Sequence, residues 1–213
     1  MKLKAKKITS IGNLKFIEHD NFETNQADKK LFSQFRKYKT FVAASTHNNE
    51  ELFAAKTHIL LKKKIKNIIT IIIPRHINRV DQIISQINEL GLNVISRRSN
   101  KKKLDNIDIY LVDTFGESKK FYKFATTVFL GGSIINRGGQ NPLEPARFGA
   151  KILHGPNIDN FRDVYKYLNQ LKISSSINTP QQCANSIYLN YYQYQKTQYY
   201  NLQVLLQMSD HKN

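Results

Sequence analysis

The chain has 213 residues, 33 Lys+Arg against 16 Asp+Glu, and therefore a formal net charge of +17. With 40% hydrophobic residues and a mean hydropathy of −0.49, it can build one generous core, or a core plus an appended helix, and wholesale disorder is excluded. One cysteine, Cys183, excludes a disulfide framework and any multi-thiolate metal centre within one chain. The longest apolar runs, such as Ile68–Pro74, fall far short of the roughly 20 residues that span a bilayer. No charged-then-apolar leader opens the sequence, so the expectation is a soluble, basic domain of a reducing compartment.

Short β-rich runs alternate with helical stretches, the pattern of a parallel α/β sheet. Thr40–Ser45 reads as a buried strand, and Asn48–Leu61 as a helix with acids at its start. Ile68–Ile73, five isoleucines in six residues, is too apolar for a one-sided sheet and predicts a central strand ended by Pro74. A helix follows from Asn78 to Leu90, with Gly91 as its stop. Strands are predicted at Asn93–Ile95, Ile107–Val112, Val128–Leu130 and Lys151–Leu153, with helices over Ser118–Ala125 and Asn160–Leu171.

Two segments lie outside this rhythm. Residues 1–22 form a junction segment with one strand candidate, Ile8–Ile11. From 180 to 213 the chain is rich in Gln, Tyr and Asn. Ile187, Tyr191, Tyr194, Leu202, Leu205 and Leu206 recur at roughly helical spacing there, predicting a C-terminal helix that hides its tyrosines. Residues 23–179 are the parallel α/β domain between them.

The cations are 25 Lys and 8 Arg, with the lysines in short runs such as Lys62–Lys64, Lys101–Lys103 and Lys119–Lys120. A solvated face accounts for them, as does an anionic membrane surface. Nucleic acid is not expected, because Arg forks and aromatic stacking platforms do not accompany the lysines.

In an open α/β sheet, ligands bind beyond the carboxyl ends of the strands. The predicted strands are followed by Ser45-Thr46-His47, Pro74-Arg75-His76, Asp113-Thr114-Phe115-Gly116-Glu117, Gly131-Gly132-Ser133 and Gly155-Pro156-Asn157. All are suited to a phosphorylated ligand. Arg75 has the planar fork for an anion, though an arginine paired with an acid at the sheet edge fits equally well. Asp113, Thr114 and Glu117 also read as a helix cap. In Gly138-Gly139-Gln140-Asn141-Pro142-Leu143-Glu144-Pro145, Asn141 caps a helix with Pro142 in its first turn. Glu144 at that helix start can accept from both hydroxyls of a ribose; the other reading is a glycine loop and a capped helix. His47, His76 and His154 each follow a strand but have no ligand spacing, and no metal site is assigned.

Taken in order, these loops resemble the C-terminal half of the 3-deoxy-D-manno-octulosonic acid (Kdo) transferases. The resemblance is carried by Gly12-Asn13-Leu14-Lys15-Phe16, Ser45-Thr46-His47 with Glu50-Glu51, Pro74-Arg75-His76 with Arg79, and Arg97-Arg98-Ser99. It continues through Asp113-Thr114 with Gly116-Glu117, Gly131-Gly132-Ser133, Gly138-Gly139 with Asn141–Pro145, and Gly155-Pro156 with Asn160-Phe161-Arg162. It implies the C-terminal domain of a GT-B glycosyltransferase, an α/β Rossmann-like parallel sheet flanked by helices plus a C-terminal helix. No cofactor is implied, and the donor substrate is CMP-Kdo. CMP is implied to contact Pro74 and Arg75, then Phe115, Gly116 and Glu117, then Asn141, Pro142, Leu143 and Glu144. Ser45, Thr46, His47, Gly132 and Ser133 are candidate cleft residues. The family usually carries Met at the place of Phe115 and His at the place of Gln140.

The same resemblance implies transfer of Kdo to the lipid A precursor in lipopolysaccharide synthesis at the cytoplasmic face of the Gram-negative inner membrane, with this chain peripheral to it. The family's N-terminal half, with its anchor, acceptor site and catalytic carboxylate, has no counterpart here. Catalytic residues are therefore unassigned, and a separate chain carrying that half is an expected partner. A GT-B half for another nucleotide sugar and a non-catalytic basic binding module are the alternatives.

Overall fold

The computed structural model describes residues 26–99 and 103–193. The strand expected at Ile8–Ile11, the stretch Gly12–Phe16, and Tyr194, Leu202, Leu205 and Leu206 lie outside these residues. The chain runs α1 (Gln26–Phe35), β1 (Lys39–Thr46), α2 (Glu50–Lys62) and β2 (Ile68–Pro74). A 3-10 turn (Ile77–Arg79) leads into α3 (Val80–Asn88), then β3 (Val94–Ser96), β4 (Ile109–Leu111), α4 (Ser118–Tyr122) and β5 (Ala125–Leu130). It ends with α5 (Leu143–Arg147), β6 (Lys151–His154), a second 3-10 turn (Asp159–Phe161), α6 (Arg162–Gln170) and β7 (Ser174–Ser176). A helix, α7, then runs over residues 180–193.

All seven strands are parallel, in the order β3-β4-β2-β1-β5-β6-β7. Every residue of β2 is buried, which is why its isoleucines need no polar alternation. Side chains alternate across the pleat. Phe41, Ala43, Ile68 and Ile72 face one core layer, under α2, α3 and α7. Val42, Ala44, Ile69 and Ile71 face the other, under α1, α4 and α6. A Rossmann-like α/β fold is the result.

Two local expectations are corrected, and two elements are present that no expectation covered. The helix after β4 stops at Tyr122, because Ala125 already pairs with Thr40 of β1. Helix α1 was not legible, since its anchors Phe32 and Phe35 find their partners far along the chain: Phe35 meets the Tyr110 ring edge-on at 5.0 Å and Phe121 at 6.1 Å. The β7 run Ser174-Ser175-Ser176 has no apolar pattern and is a strand only because β6 supplies its ladder. Helix α7 packs through Cys183, Ala184 and Ile187; it half-buries Tyr188 and Tyr191 and leaves Tyr192 50% exposed, so its described tyrosines are hidden only in part. Cys183 is the buried apolar residue expected of it, its thiol pushed up to about 12 by burial.

At the amino ends of the strands a polar cluster closes the sheet. His58 is fully buried, with Nδ1 2.9 Å from Thr70 Oγ1 and Nε2 3.3 Å from Asp108. Asp108 also accepts from Lys62 Nζ at 2.5 Å and from the Asn93 N–H at 2.9 Å. Burial outweighs Asp108 and lowers the His58 pKa below its ordinary 6.5. The His154 imidazole, its ring tilted against Tyr165 at 4.4 Å, is lowered in the same way. Below pH 6.5 the unfolded chain takes up protons that the native state refuses. Stability from these groups is thus complete above 6.5 and is lost as pH falls toward their native values. The urea midpoint is expected to decline from about pH 6.5 downward. A midpoint level down to about pH 5 would show that these imidazoles are not held neutral.

Candidate functional site

Parallel strands put all their carboxyl ends on one rim, and there a cleft of about 330 Å³ opens between the loops after β2 and β4. Ser45, Pro74, Arg75, His76, Thr114 and Phe115 are among its lining residues. Arg75 is fixed through its backbone, whose N–H donates to Thr46 O at 2.8 Å. Its guanidinium is exposed and, among the described residues, has no acid partner; the sheet-edge ion pair is not formed. Phe115 stands 74% exposed at the cleft. Gly116 lines the same cleft, and Ser45 reaches it through an irregularity in β1 between Ala44 and Thr46.

The Gly131–Ser133 loop is a concavity of backbone donors, but its anion belongs to the protein. Glu50 Oε2 accepts from the N–H of Gly132 at 2.7 Å and of His47 at 2.9 Å. Its Oε1 accepts from Ser133 at 3.1 Å and Ile134 at 3.0 Å. A Cβ at Gly131 would stand 2.4 Å from Ser45 O and 2.8 Å from Glu50 Oε2, so only glycine admits this approach. Gly132 and Ser133 therefore hold a carboxylate from inside rather than a ligand phosphate. Thr46 is likewise interior: its hydroxyl donates to Glu51 at 3.1 Å. Glu51, buried, is held by Arg79 at 3.2 Å. These three expected cleft residues are part of the wall.

Glu117 also differs from expectation. Arg97 donates to both its oxygens at 3.1 Å, Lys120 donates at 2.9 Å, and the Thr114 hydroxyl bonds it as well. These partners overcome its burial and hold its pKa at about 2. Arg97 and Lys120 both reach on to Asp28 of α1, a side chain almost wholly buried. The network ties α1 to the loop that carries Phe115. Neither Asp113 nor Thr114 caps α4: Asp113 instead accepts the Arg98 N–H at 3.0 Å.

The Asn141–Glu144 segment starts α5 as anticipated. Asn141 Oδ1 accepts the Leu143 N–H at 3.0 Å, and Pro142 takes helical angles at the helix start. Glu144 is 38% exposed, with Lys119 Nζ at 4.0 Å, which sets α5 beside α4 and the Phe115 loop. His47 and His76 meet edge to face at 5.6 Å. His154 does not join them; its Nδ1 lies 2.6 Å from Gly155 O. Sequence reasoning passed over the roles of Glu50, Arg97 and Asp28. Two adjacent acids opening a helix were the available signal for the first and the Arg97-Arg98-Ser99 stretch for the second, and nothing local marks Asp28.

No protein-family model matches the chain. The 3-deoxy-D-manno-octulosonic acid transferase of Rickettsia bellii is 31% identical over 180 residues, covering 84% of this chain and 43% of that protein. The enzyme of the same name from Haemophilus influenzae is 28% identical over 174 residues, covering 81% and 41%. The chain thus spans about two fifths of these relatives' length. Among solved structures, the C-terminal CMP-Kdo binding domain of WaaA from Acinetobacter baumannii superposes with a TM-score of 0.71 at 23% identity, covering 81% of this chain and 91% of that one. By sequence the chain is similar to about two fifths of the length of these 3-deoxy-D-manno-octulosonic acid transferases, and its architecture is that of the Acinetobacter domain.

Proposed function

We propose that this chain is the donor-binding half of a Kdo transferase and takes CMP-Kdo at the rim. The observation that carries the reading is the cleft after β2 and β4, where an acid-free Arg75 and an exposed Phe115 face one space. A guanidinium suits the phosphate, and the aromatic ring suits the nucleoside. Pro74 and Gly116 complete the cleft's walls; the α5 start does not line this cleft and offers Glu144 to the ribose from beside Lys119. Glu117 contributes through its loop, its carboxylate being engaged by Arg97, Lys120 and Thr114.

The acceptor is the lipid A precursor, and the basic chain works peripherally at the anionic cytoplasmic face of the inner membrane. Among the described residues no helix is long and apolar enough to cross a membrane. The +17 charge favours an anionic surface, each nearby cation being worth about 1 kcal/mol there.

Millimolar CMP should raise the thermal midpoint by mass action; a flat melt of folded protein counts against the reading. Glu144→Gln should leave the unliganded midpoint nearly unchanged, because among the described residues the ion pair of Glu144 is the 4.0 Å approach to Lys119. It should cost about 1.5–3 kcal/mol of CMP affinity, the range for hydrogen bonds to a charged group. A variant that melts lower yet binds CMP as before makes Glu144 a helix-start acid and nothing more. Kdo transfer by the chain alone should be negligible and should appear when the N-terminal half is added, since the acceptor hydroxyl needs alignment and a base. Efficient turnover by the 213-residue chain would mean that the base lies within it.

A further inference from the structure

Beside the nucleotide cleft lies a second set of hydrogen-bond donors that the nucleotide reading does not use. Around Gly132 three side chains converge: a Cβ there would stand 3.4 Å from the His47 ring, from the Gln140 side-chain nitrogen and from Arg137 Cβ. His47 Nε2 is buried and, among the described residues, has no hydrogen-bond partner. The His47 ring meets His76 at 5.6 Å, and His76 lines the cleft. Arg137 is exposed and, like Arg75, has no acid partner among the described residues. The acid that approaches this group, Glu50, already accepts four backbone N–H bonds. What remains is uncompensated positive charge beside an unsatisfied imidazole nitrogen.

The loop that presents these groups is held in place before any ligand arrives. Gly139 N donates to Gly132 O at 2.9 Å, and Asn160 N to Gly138 O at 3.0 Å. Asn160 Nδ2 donates to Arg137 O at 3.1 Å, and the Tyr165 hydroxyl to Gln140 O at 2.9 Å. Backbone fixed on both sides of Arg137 and Gln140 keeps the donors pre-aimed, which lowers the ordering cost of binding. An unpaired buried nitrogen is itself a cost to the free protein that a ligand acceptor would relieve.

We propose that His47, His76, Arg137 and Gln140 form a subsite for the carboxylate of the donor's sugar acid, distinct from the nucleotide's phosphate at Arg75. The inference rests on the reading of this chain as a CMP-Kdo-binding domain. That donor carries two anionic groups, a phosphodiester and an octulosonic carboxylate, and the rim offers two separate sets of cationic and neutral donors. Arg137 supplies a fork for the carboxylate, and the His47 and Gln140 nitrogens supply directed contacts.

The test is calorimetric titration of the whole chain with CMP and with freshly prepared CMP-Kdo, using wild type, Arg137→Gln and His47→Gln. Arg137 is exposed, so its variant should fold as wild type. Arg137→Gln is expected to weaken CMP-Kdo binding about ten- to hundredfold, the effect of one charge-assisted contact. CMP affinity should stay within about twofold. His47→Gln should show the same selectivity with a smaller loss. Equal losses for CMP and CMP-Kdo would overturn the subsite and place the phosphate there instead, and unchanged CMP-Kdo affinity in both variants would overturn it outright. Wild type that binds neither compound overturns the donor reading itself, whereas CMP binding without selective loss overturns only the carboxylate subsite.

Discussion

Glu50→Gln is expected to destabilise the domain by about 3–5 kcal/mol, because two buried backbone donors lose their acceptor at about 1–3 kcal/mol each. Both carboxylate oxygens are used, each by two backbone N–H groups between 2.7 and 3.1 Å away. Gln keeps one oxygen and turns an NH₂ toward the other pair, so two buried donors face a donor. For a chain of this size the thermal midpoint should fall by roughly 10 °C. Amide exchange should rise first at Gly132, Ser133 and Ile134, whose N–H groups lose their acceptor. An unfolding free energy within about 1 kcal/mol of wild type would mean that the loop is held by its other bonds. Those include Gly155 N to Ser133 Oγ at 2.8 Å and Asn157 N to Ser133 O at 3.0 Å.

Arg97→Met should be nearly as costly, about 3–5 kcal/mol, because it strips a shared cation from two carboxylates. Asp28 is 1% exposed and Glu117 14%, and both keep only Lys120 of the two cations that bridge them. The variant also has a pH signature. In wild type Glu117 titrates at about 2 rather than 4.5, so its stabilisation is complete above pH 4.5 and is lost as pH falls toward 2. Without Arg97 its native value should climb back toward the ordinary one, and that acid-sensitive window should shrink. Glu51, whose pKa burial raises despite Arg79, works in the opposite sense, so the comparison must be with wild type at each pH. An unchanged acid profile in Arg97→Met would show that Lys120 and Thr114 alone hold Glu117. Loss of the network should also loosen the Phe115 loop, coupling the distant Asp28 to nucleotide affinity.

The strand pattern and the punctuation between strands were legible in the sequence because they are local. An isoleucine run such as Ile68–Ile73 can be nothing but a strand covered on both faces. The Asn141-Pro142 start of α5 is specified by cap and φ preferences within a few residues. A rim of strand carboxyl ends follows from the parallel topology alone, and Arg75 and Phe115 line one cleft there. Helix α1 and strand β7 were not legible, since each is made by contacts to residues far along the chain.

What only the tertiary structure decided is which of the rim's polar groups are still free. Gly131-Gly132-Ser133 is a nest of backbone donors in sequence and in fact, but its anion is Glu50, 82 residues away from Gly132 along the chain. Glu117 has the position of a ligand residue, yet Arg97, 20 residues earlier, has claimed its carboxylate. Arg75 and Arg137, of the same charge as Arg97, were left without acids among the described residues. A residue's type and spacing state what it can bind. Whether another part of the same chain has already bound it is set by packing between segments, and that information is not local.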